Sequence, residues 1–488
     1  MNESWHPKPG DKIIHPRRIR RYRLRRILGV PALYSAGYGN VGSSIYYALG
    51  IVALVAMGAT PIALGIAGIF FIFTALTYAE GTAMFPEAGG SSSFARHGIN
   101  DLAGFVSGWA LMLSYIVTIS ISAFTISPYL GYFWMPLKES PVVGTAVAIG
   151  IVLFLMLVNV IGVKETSFLN LGATILDLTV QISIIILGFI FLLNPTVLLH
   201  RITSCWPSPE NLIFGVALAS LAYTGVETVS QMAEETRQPQ TRVPKALIFM
   251  TVTVLVIFAG ISIVALSAMT PEELATEWAR DPIAGIARSL PIEWVCSIFK
   301  PLVAVLAASI LLIATNAGLM GISRLAFSMG SHQQMPAVFN RIHHRFKTPH
   351  IAIIIFTGVA ILILIPGFFT PGLFINLGAL YTFGSLLAFA FAHASIITLR
   401  VKAPDLSRPF KVGLNIKVKG REIPITAVLG LLATGAVWLV IVAVQPFGRW
   451  VGLGWMVVGV AIYWFYRHRK SLSPSGSMEE PVNRGELL

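Results

Sequence analysis

The sequence predicts an all-α integral membrane protein with twelve transmembrane helices, and three observations carry that reading. Of its 488 residues, 55% are hydrophobic and only 12% are charged, about half the roughly 25% charged share of soluble domains. The mean hydropathy is +0.75. Twelve stretches reach the roughly 20 mostly apolar residues a bilayer crossing needs: 29–56, 61–85, 102–133, 142–161, 170–193, 210–232, 246–269, 297–329, 350–367, 372–399, 425–444 and 449–466. Finally, basic residues are distributed unevenly between the connecting segments. Of 35 Lys and Arg, all but Lys138, Arg201, Arg280, Arg288, Lys300 and Arg449 fall on the side that carries both termini. Positive charge stays inside, so both termini are expected in the cytoplasm.

Taken in order, residues 1–28 form a basic cytoplasmic tail, with Arg17-Arg18 and Arg25-Arg26. The apolar run after it is too long for a cleavable leader, so it reads as a permanent first span. Residues 29–400 hold ten helices, 401–424 a cytoplasmic loop, 425–466 the last two helices, and 467–488 a polar tail expected to lack a packed core. The outer segment 270–296 carries a short helical pattern. Two cysteines, Cys205 and Cys296, lie near the outer side and read as unrelated thiols rather than a bonded pair.

Composition also excludes whole classes of function. The net charge of +13 follows from the basic inner loops, and no basic patch with interleaved aromatics points to nucleic acid. No His/Cys cluster has metal-ligand spacing, His343-His344 included. No phosphate-binding Gly-rich loop ending in Gly-Lys-Ser/Thr is present, and no clustered acid, base and nucleophile suggests an enzyme.

Two runs inside the spans are poor helix formers. The first is Tyr38-Gly39-Asn40-Val41-Gly42-Ser43-Ser44-Ile45-Tyr46-Tyr47, and the second is Leu221-Ala222-Tyr223-Thr224-Gly225-Val226-Glu227-Thr228. Gly costs a helix about 1 kcal/mol relative to Ala, and Ser and Asn compete for backbone hydrogen bonds. The runs lie five spans apart, an odd number, so the second unit enters the membrane from the opposite face. Paired interruptions in two inverted halves point to a carrier's binding site. Breaks are therefore expected in spans one and six. Backbone amides and hydroxyls at Gly42, Ser43 and Ser44, with Asn40, Ile45 and Tyr47 beside them, suit a carboxylate. Carbonyls at Leu221, Ala222 and Tyr223, with Gly225 at the turn, suit an ammonium group. Close helix packing by small residues is the competing reading of Gly42.

Buried acids are the other candidates. Glu227 follows the second break and is read either as a proton site or as a structural brace across it. Asp177 in span five is read as a coupling carboxylate or as an interhelical hydrogen-bond partner. Glu80 and Arg324 lie near inner span ends and are read as anchors or gates.

At these residues the chain resembles the amino acid–polyamine–organocation (APC) permeases. Gly42-Ser43-Ser44-Ile45 with Gly50 resembles the first-span signature Gly-Ser-Gly-Ile-Phe…Gly, with Ser44 replacing the second Gly and Tyr46 the Phe. Tyr78-Ala79-Glu80 with Phe85-Pro86-Glu87-Ala88-Gly89-Gly90 resembles the end of the second span. The strongest match is Ala222-Tyr223-Thr224-Gly225-Val226-Glu227 followed by Ala233-Glu234-Glu235-Thr236 and Val243-Pro244-Lys245-Ala246. Ser323-Arg324, Met335-Pro336 and Lys347-Thr348-Pro349 fit the eighth span and its loop, and Pro404-Asp405-Leu406 with Arg408-Pro409-Phe410 fits the loop before the last two spans. The resemblance implies a five-plus-five inverted repeat, two added helices, and a small-molecule substrate held between spans one, three, six, eight and ten. It also implies coupling to a proton or sodium ion, or exchange, with no other cofactor. Some family members carry a Lys near the place of Asp177, and sodium-coupled relatives draw hydroxyl ligands from near Thr315 and Asn316. The function so implied is secondary transport of amino acids or related organic amines across the cell membrane by alternating access. The alternatives are potassium import on the same fold, or polyamine transport or antiport. The lipid bilayer is the expected partner, nucleic acid is not, and a monomer suffices.

Overall fold

The computed structural model describes residues 26–475, apart from 163–166, 371, 419 and 474. Most of both terminal tails therefore lies outside the described residues. In chain order the helices are α1 (Val30–Val41), α2 (Ile45–Ala56), α3 (Thr60–Met84), α4 (Ser91–Gly98), α5 (Asp101–Leu130), α6 (Pro136–Glu139), α7 (Pro141–Ile161), α8 (Ser167–Phe191), α9 (Pro195–Ser204) and α10 (Pro209–Ala219). They continue as α11 (Val226–Gln231), α12 (Pro239–Ala268), α13 (Pro271–Thr276), α14 (Pro282–Arg288), α15 (Glu293–Ser331), α16 (His350–Leu364), α17 (Leu373–Lys402), α18 (Ile425–Val444) and α19 (Pro446–Arg469). Among the described residues, ten helical segments are long and apolar enough to cross a membrane. The first of these runs from Val30 to Met84 and turns back at Met57, whose φ is 47°. Pro61 sits in the first turn of α3, where its missing N–H costs nothing.

The loop between α17 and α18 is not plain coil, as the sequence reading had it. Residues Asn415–Val418 (β1) and Arg421–Pro424 (β2) pair antiparallel, with Asn415 opposite Pro424. Gly420 takes a φ of 78° at the turn, a conformation that costs a residue without Cβ nothing. The outer helical pattern at 270–296 is α13 and α14, and Thr270 with Glu273 forms a capping box at the start of α13.

Helix α5 is the axis of the molecule. Its membrane segment is wholly buried, wrapped by α4, α7, α15, α16, α17 and α19. By contrast α7, α8, α12, α18 and α19 each present large apolar side chains outward, among them Leu157, Ile190, Val256, Leu432 and Val457. Such a surface is stable only against lipid, and helices that bond their own backbone are what lipid permits.

Two polar devices tie the outer helices on. Trp109 of α5 and Trp455 of α19 stack with centroids 4.5 Å apart. Each indole N–H donates to the other's carbonyl, at 2.8 and 2.9 Å. Arg467 then pairs with Asp101 at 3.0 Å. Trp109→Phe keeps much of the apolar contact and loses one donor, so we expect a loss of about 1 kcal/mol, read as a lowered melting temperature in detergent with the fold intact. In the second device, Arg400 of α17 grips Glu80 of α3 with two bonds of 2.7 Å, and the Val412 amide donates to the same carboxylate at 2.8 Å. The expected anchoring role of Glu80 has this physical form. Arg324 pairs with Glu235 at 3.0 Å, and the Ile27 and Leu28 amides donate to the Glu235 carbonyl.

The break expected in span one is where the structure departs from the sequence reading. Residues Gly42–Ser44 tighten into a single 3-10 turn, and Gly42 keeps right-handed angles of −64° and −33°. The rod is narrowed but not unwound. The reason lies in the side chains. A Cβ on Gly42 would sit 2.5 Å from Cζ of Tyr38, so the glycine is there to pass the Tyr38 ring. The Ser43 hydroxyl donates to the Asn40 carbonyl at 2.8 Å, and the Ser44 hydroxyl to the same oxygen at 3.4 Å.

Span six is broken outright. After α10 comes a 3-10 turn over Ser220–Tyr223. Thr224 is then extended, Gly225 takes a φ of 118°, and α11 begins. Among the described residues, no backbone amide bonds the carbonyls of Ala222, Tyr223 or Thr224 across the gap.

Candidate functional site

The two special runs meet at mid-molecule. Helix α1 packs on α11 and helix α2 on α10, so the spans cross each other's full length in opposite directions. The contact is close at the interruptions: a Cβ on Gly225 would lie 2.9 Å from Asn40 Nδ2 and 2.9 Å from Val41 Cγ2. The Asn40 amide donates to the Thr228 hydroxyl at 2.8 Å, while its own Oδ1 is buried without a partner.

The chain closes the gap in span six with its own side chains. The Thr224 hydroxyl donates to the Leu221 carbonyl at 2.8 Å, which ends the first half of the span. The Gly225 amide donates to Glu227 Oε2 at 3.0 Å. A carboxylate in the first turn of α11 meets the positive end of that helix, so the bracing role read from the sequence is physically present. Only half of Glu227 is used, however. Its Oε1 is fully buried with no hydrogen-bond partner, and the carboxylate has no ion-pair partner among the described residues. Around it stand three hydroxyls within electrostatic reach: Tyr78 of α3, Tyr115 of α5 and Tyr381 of α17. All three oxygens are buried and none makes a well-formed hydrogen bond, and the same holds for the hydroxyls of Ser114 and Ser122 on α5. An unpaired buried polar atom costs about 1–3 kcal/mol. A cluster of them around one broken helix calls for polar company, from a guest at the break or from ordered water beside it.

The structure sorts the sequence-predicted residues. Asn40, Ser44, Tyr47, Ala222, Gly225 and Glu227 are brought together at the crossing. The Ser44 and Tyr47 hydroxyls bond at 3.0 Å, and Tyr47 lies beside Ser122 and Tyr381. Ile45 and Leu221 are buried, and Leu221 packs toward Gly378 of α17. The side chain of Tyr223 turns away. Its hydroxyl donates to the Leu64 carbonyl at 2.9 Å, and its ring packs on Phe71 and Phe258.

Asp177 of α8 occupies a separate position. It accepts from Tyr46 at 2.6 Å, Tyr38 at 2.9 Å and Gln181 at 2.7 Å. Tyr38 and Tyr46 flank the 3-10 turn of span one, so one carboxylate splints the turn from outside. Thr315 and Asn316 do not join it. The Thr315 hydroxyl donates to the Leu311 carbonyl at 2.8 Å, and Asn316 Oδ1 accepts from Asn159 of α7. Cys205 and Cys296 are free thiols. Cys205 donates to Glu272 at 3.0 Å, and Cys296 donates to the Arg288 carbonyl at 3.6 Å.

Tyr115, Tyr381 and Gln231 were not singled out from sequence, and Tyr78 stood out only as part of the motif at the end of the second span. A signal did exist for α5, where Ser114, Thr118 and Ser122 recur every four residues on one face of the helix.

A broken span six crossed by a tightened span one, both buried in a helical bundle facing lipid, is the frame of a carrier. The amino acid permease family profile matches residues 28–465. The chain is a member of the amino acid permease family. It is a multi-pass membrane transporter and not an enzyme. Its relatives in Bacillus subtilis include a branched-chain amino acid permease, 27% identical over 92% of this chain and 94% of the relative. A methylthioribose transporter is 26% identical over 92% and 95%, and a glutamate/serine transporter is 25% identical over 91% and 82%. The names of these relatives span apolar, acidic and hydroxylated amino acids and a thiosugar. In the permease, the polar atoms at the crossing are therefore the better guide to cargo than any one relative.

Proposed function

We propose that this permease moves an amino acid or a related organic amine across the cell membrane by alternating access, as a secondary transporter. The single observation that carries the reading is the span-six break at Thr224-Gly225, set directly against Asn40 of span one. The substrate ammonium lies against the unbonded carbonyls of Ala222, Tyr223 and Thr224. The carboxylate lies against the 3-10 turn at Gly42–Ser44, whose hydrogen bonds are poorer than those of an α-helix and open at little cost.

The same reading takes the chain as twelve spans with both termini cytoplasmic: a five-plus-five inverted repeat plus α18 and α19. The antiparallel crossing of α1–α2 with α11–α10 supports the inversion, and the basic inner loops support the orientation. Alternating access is then the rocking of spans one, two, six and seven against the rest. Substrate and a coupling ion bind the two states unequally, which is what moves the equilibrium.

A proton at Glu227 is the coupling ion we favour. Its Oε1 has room for a proton and no competing partner. Asp177 is saturated by three donors and acts as the splint of span one. The test is uptake of radiolabelled amino acids and polyamines into proteoliposomes, screened first by thermal shift. A ligand at about 100 times its dissociation constant stabilises the folded state by about 2.7 kcal/mol, so the transported compound is expected to raise the melting temperature. A panel in which no amino acid or amine either stabilises the protein or is taken up contradicts the reading.

A further inference from the structure

Below Glu227 runs a second group of buried polar atoms that the substrate site does not use. Gln231, on the last turn of α11, has both amide atoms buried and in no well-formed hydrogen bond. Tyr115 OH lies beside it, in polar contact with that amide but without good hydrogen-bond geometry. Tyr78 OH of α3 and Ser91 Oγ, at the start of α4, meet in the same imperfect way. The group is contiguous. A Cβ on Gly90 would lie 3.6 Å from the Tyr78 ring, 3.7 Å from Gln231 Nε2 and 3.7 Å from Ser230 Oγ. It runs along α11 from Glu227 toward two connections, the one after α3 that carries Glu87 and the one after α11 that carries Glu234.

Left dry, each of these atoms costs about 1–3 kcal/mol, and several in one place exceed what a marginally stable fold tolerates. Buried polar atoms without protein partners are met by ordered water, each molecule making 2–4 hydrogen bonds. The group is not a substrate seat: it is lined by α3, α4, α5 and α11 and lies on the inner side of the break. Facing Glu227 are three neutral hydroxyls, Tyr78 from α3, Tyr115 from α5 and Tyr381 from α17, and no ion-pair partner of either sign among the described residues.

We propose that Tyr115, Gln231, Tyr78 and Ser91 hold a buried water file that carries the Glu227 proton to the cytoplasmic face. The proposal rests on the reading of Glu227 as the proton site. The step balances simply: the Glu227 O–H bond breaks toward a water on Oε1, the excess proton passes from water to water, and the last water releases it at the inner loop. The Glu227 carboxylate keeps the electron pair and the Gly225 amide bond. Gln231 transfers no proton itself; its amide fixes waters through a donor and an acceptor.

The mouth suits the task. Glu87 accepts from Ser93 at 2.9 Å and pairs with Arg96 at 2.8 Å and His97 at 3.3 Å. Burial alone would raise its carboxyl, but the hydrogen bond and charge of His97, with the charge of Arg96, hold it well below the usual range. Glu234 beside it is pushed up by burial, and by the charges of Glu87 and Glu235. A carboxylate raised in this way picks up and releases protons closer to neutral pH than a free one.

The test uses the full chain in proteoliposomes with Tyr78→Phe and Gln231→Leu. Net uptake driven by an inward proton gradient needs the proton released at each turnover, whereas exchange of labelled for unlabelled substrate does not. We expect net uptake to slow at least fivefold in each variant, together with substrate-driven acidification of the lumen reported by a trapped pH dye. Exchange is expected to stay within twofold of the parent. Tyr78→Phe keeps the ring packed edge-on against Phe94 and Phe389, so it carries the test if Gln231→Leu fails to fold. Equal loss of net uptake and exchange, or net uptake at the parent rate, overturns the water file. Glu227→Gln is run alongside: if its uptake still follows pH, the proton role of Glu227 fails, whereas a pH-independent Glu227→Gln with normal net uptake in Tyr78→Phe sinks the file alone.

Discussion

Gly225→Ala is expected to abolish transport while leaving a folded, membrane-inserted protein. Two independent costs fall on the methyl group. Gly225 has a φ of 118°, where side chains other than glycine pay roughly 1–3 kcal/mol. The new Cβ would also lie 2.9 Å from both Asn40 Nδ2 and Val41 Cγ2, so those side chains of span one must move. That shift acts on the 2.8 Å bond from Asn40 to Thr228, a side-chain link that holds the two interruptions in register. Every factor of ten in rate is only about 1.4 kcal/mol, so uptake should fall at least tenfold, measured as initial rate per folded molecule. Gly65→Ala is the control. It lies in α3 with nothing within 4 Å of its Cβ position, and its uptake should match the parent.

Glu227→Gln is expected to uncouple transport from pH. The Gln carbonyl oxygen can still accept the Gly225 N–H, now at 3.0 Å to Oε2, so the break keeps its brace. The amide nitrogen replaces Oε1, and the group no longer binds a proton. One proton carried per substrate across a one-unit pH difference supplies about 1.4 kcal/mol, enough for about tenfold accumulation. The parent should approach that ratio with acid outside, and its uptake should fall as external pH rises. The variant should equilibrate substrate to a ratio near one, with a flat pH profile and exchange preserved. Parent-like accumulation in the variant removes Glu227 from coupling.

The spans were legible in the sequence because lipid imposes a one-dimensional constraint. The expected span 425–444 is α18 to the residue, and 61–85 differs from α3 by one residue at each end. Which of the two small-residue runs would unwind was not legible. Both hold Gly beside hydroxylated residues, and the outcome turns on what lies over the glycine. The Tyr38 ring covers Gly42 and the helix continues, whereas at Gly225 the backbone turns left-handed against Asn40.

The acids were found because charge in a membrane stands out. Tyr115, Tyr381 and Gln231, and the place of Tyr78 in the site, were missed because each looks ordinary within its own span. Their importance comes from three or four helices meeting at one point, which no local pattern encodes. The hairpin at 415–424 was missed for a similar reason: four-residue strands alternate too briefly to show a period. Asp177 was found for its charge, but its partners, Tyr38 and Tyr46, assign it to bracing span one.

The most direct test of the account is the position of the transported amino acid in a structure of the complex. The account predicts its ammonium within about 2.7–3.2 Å of the Ala222, Tyr223 or Thr224 carbonyls, its carboxylate at the Gly42–Ser44 turn, and span six still interrupted at Gly225. A substrate bound away from this crossing, with the carbonyls of span six untouched, would contradict it.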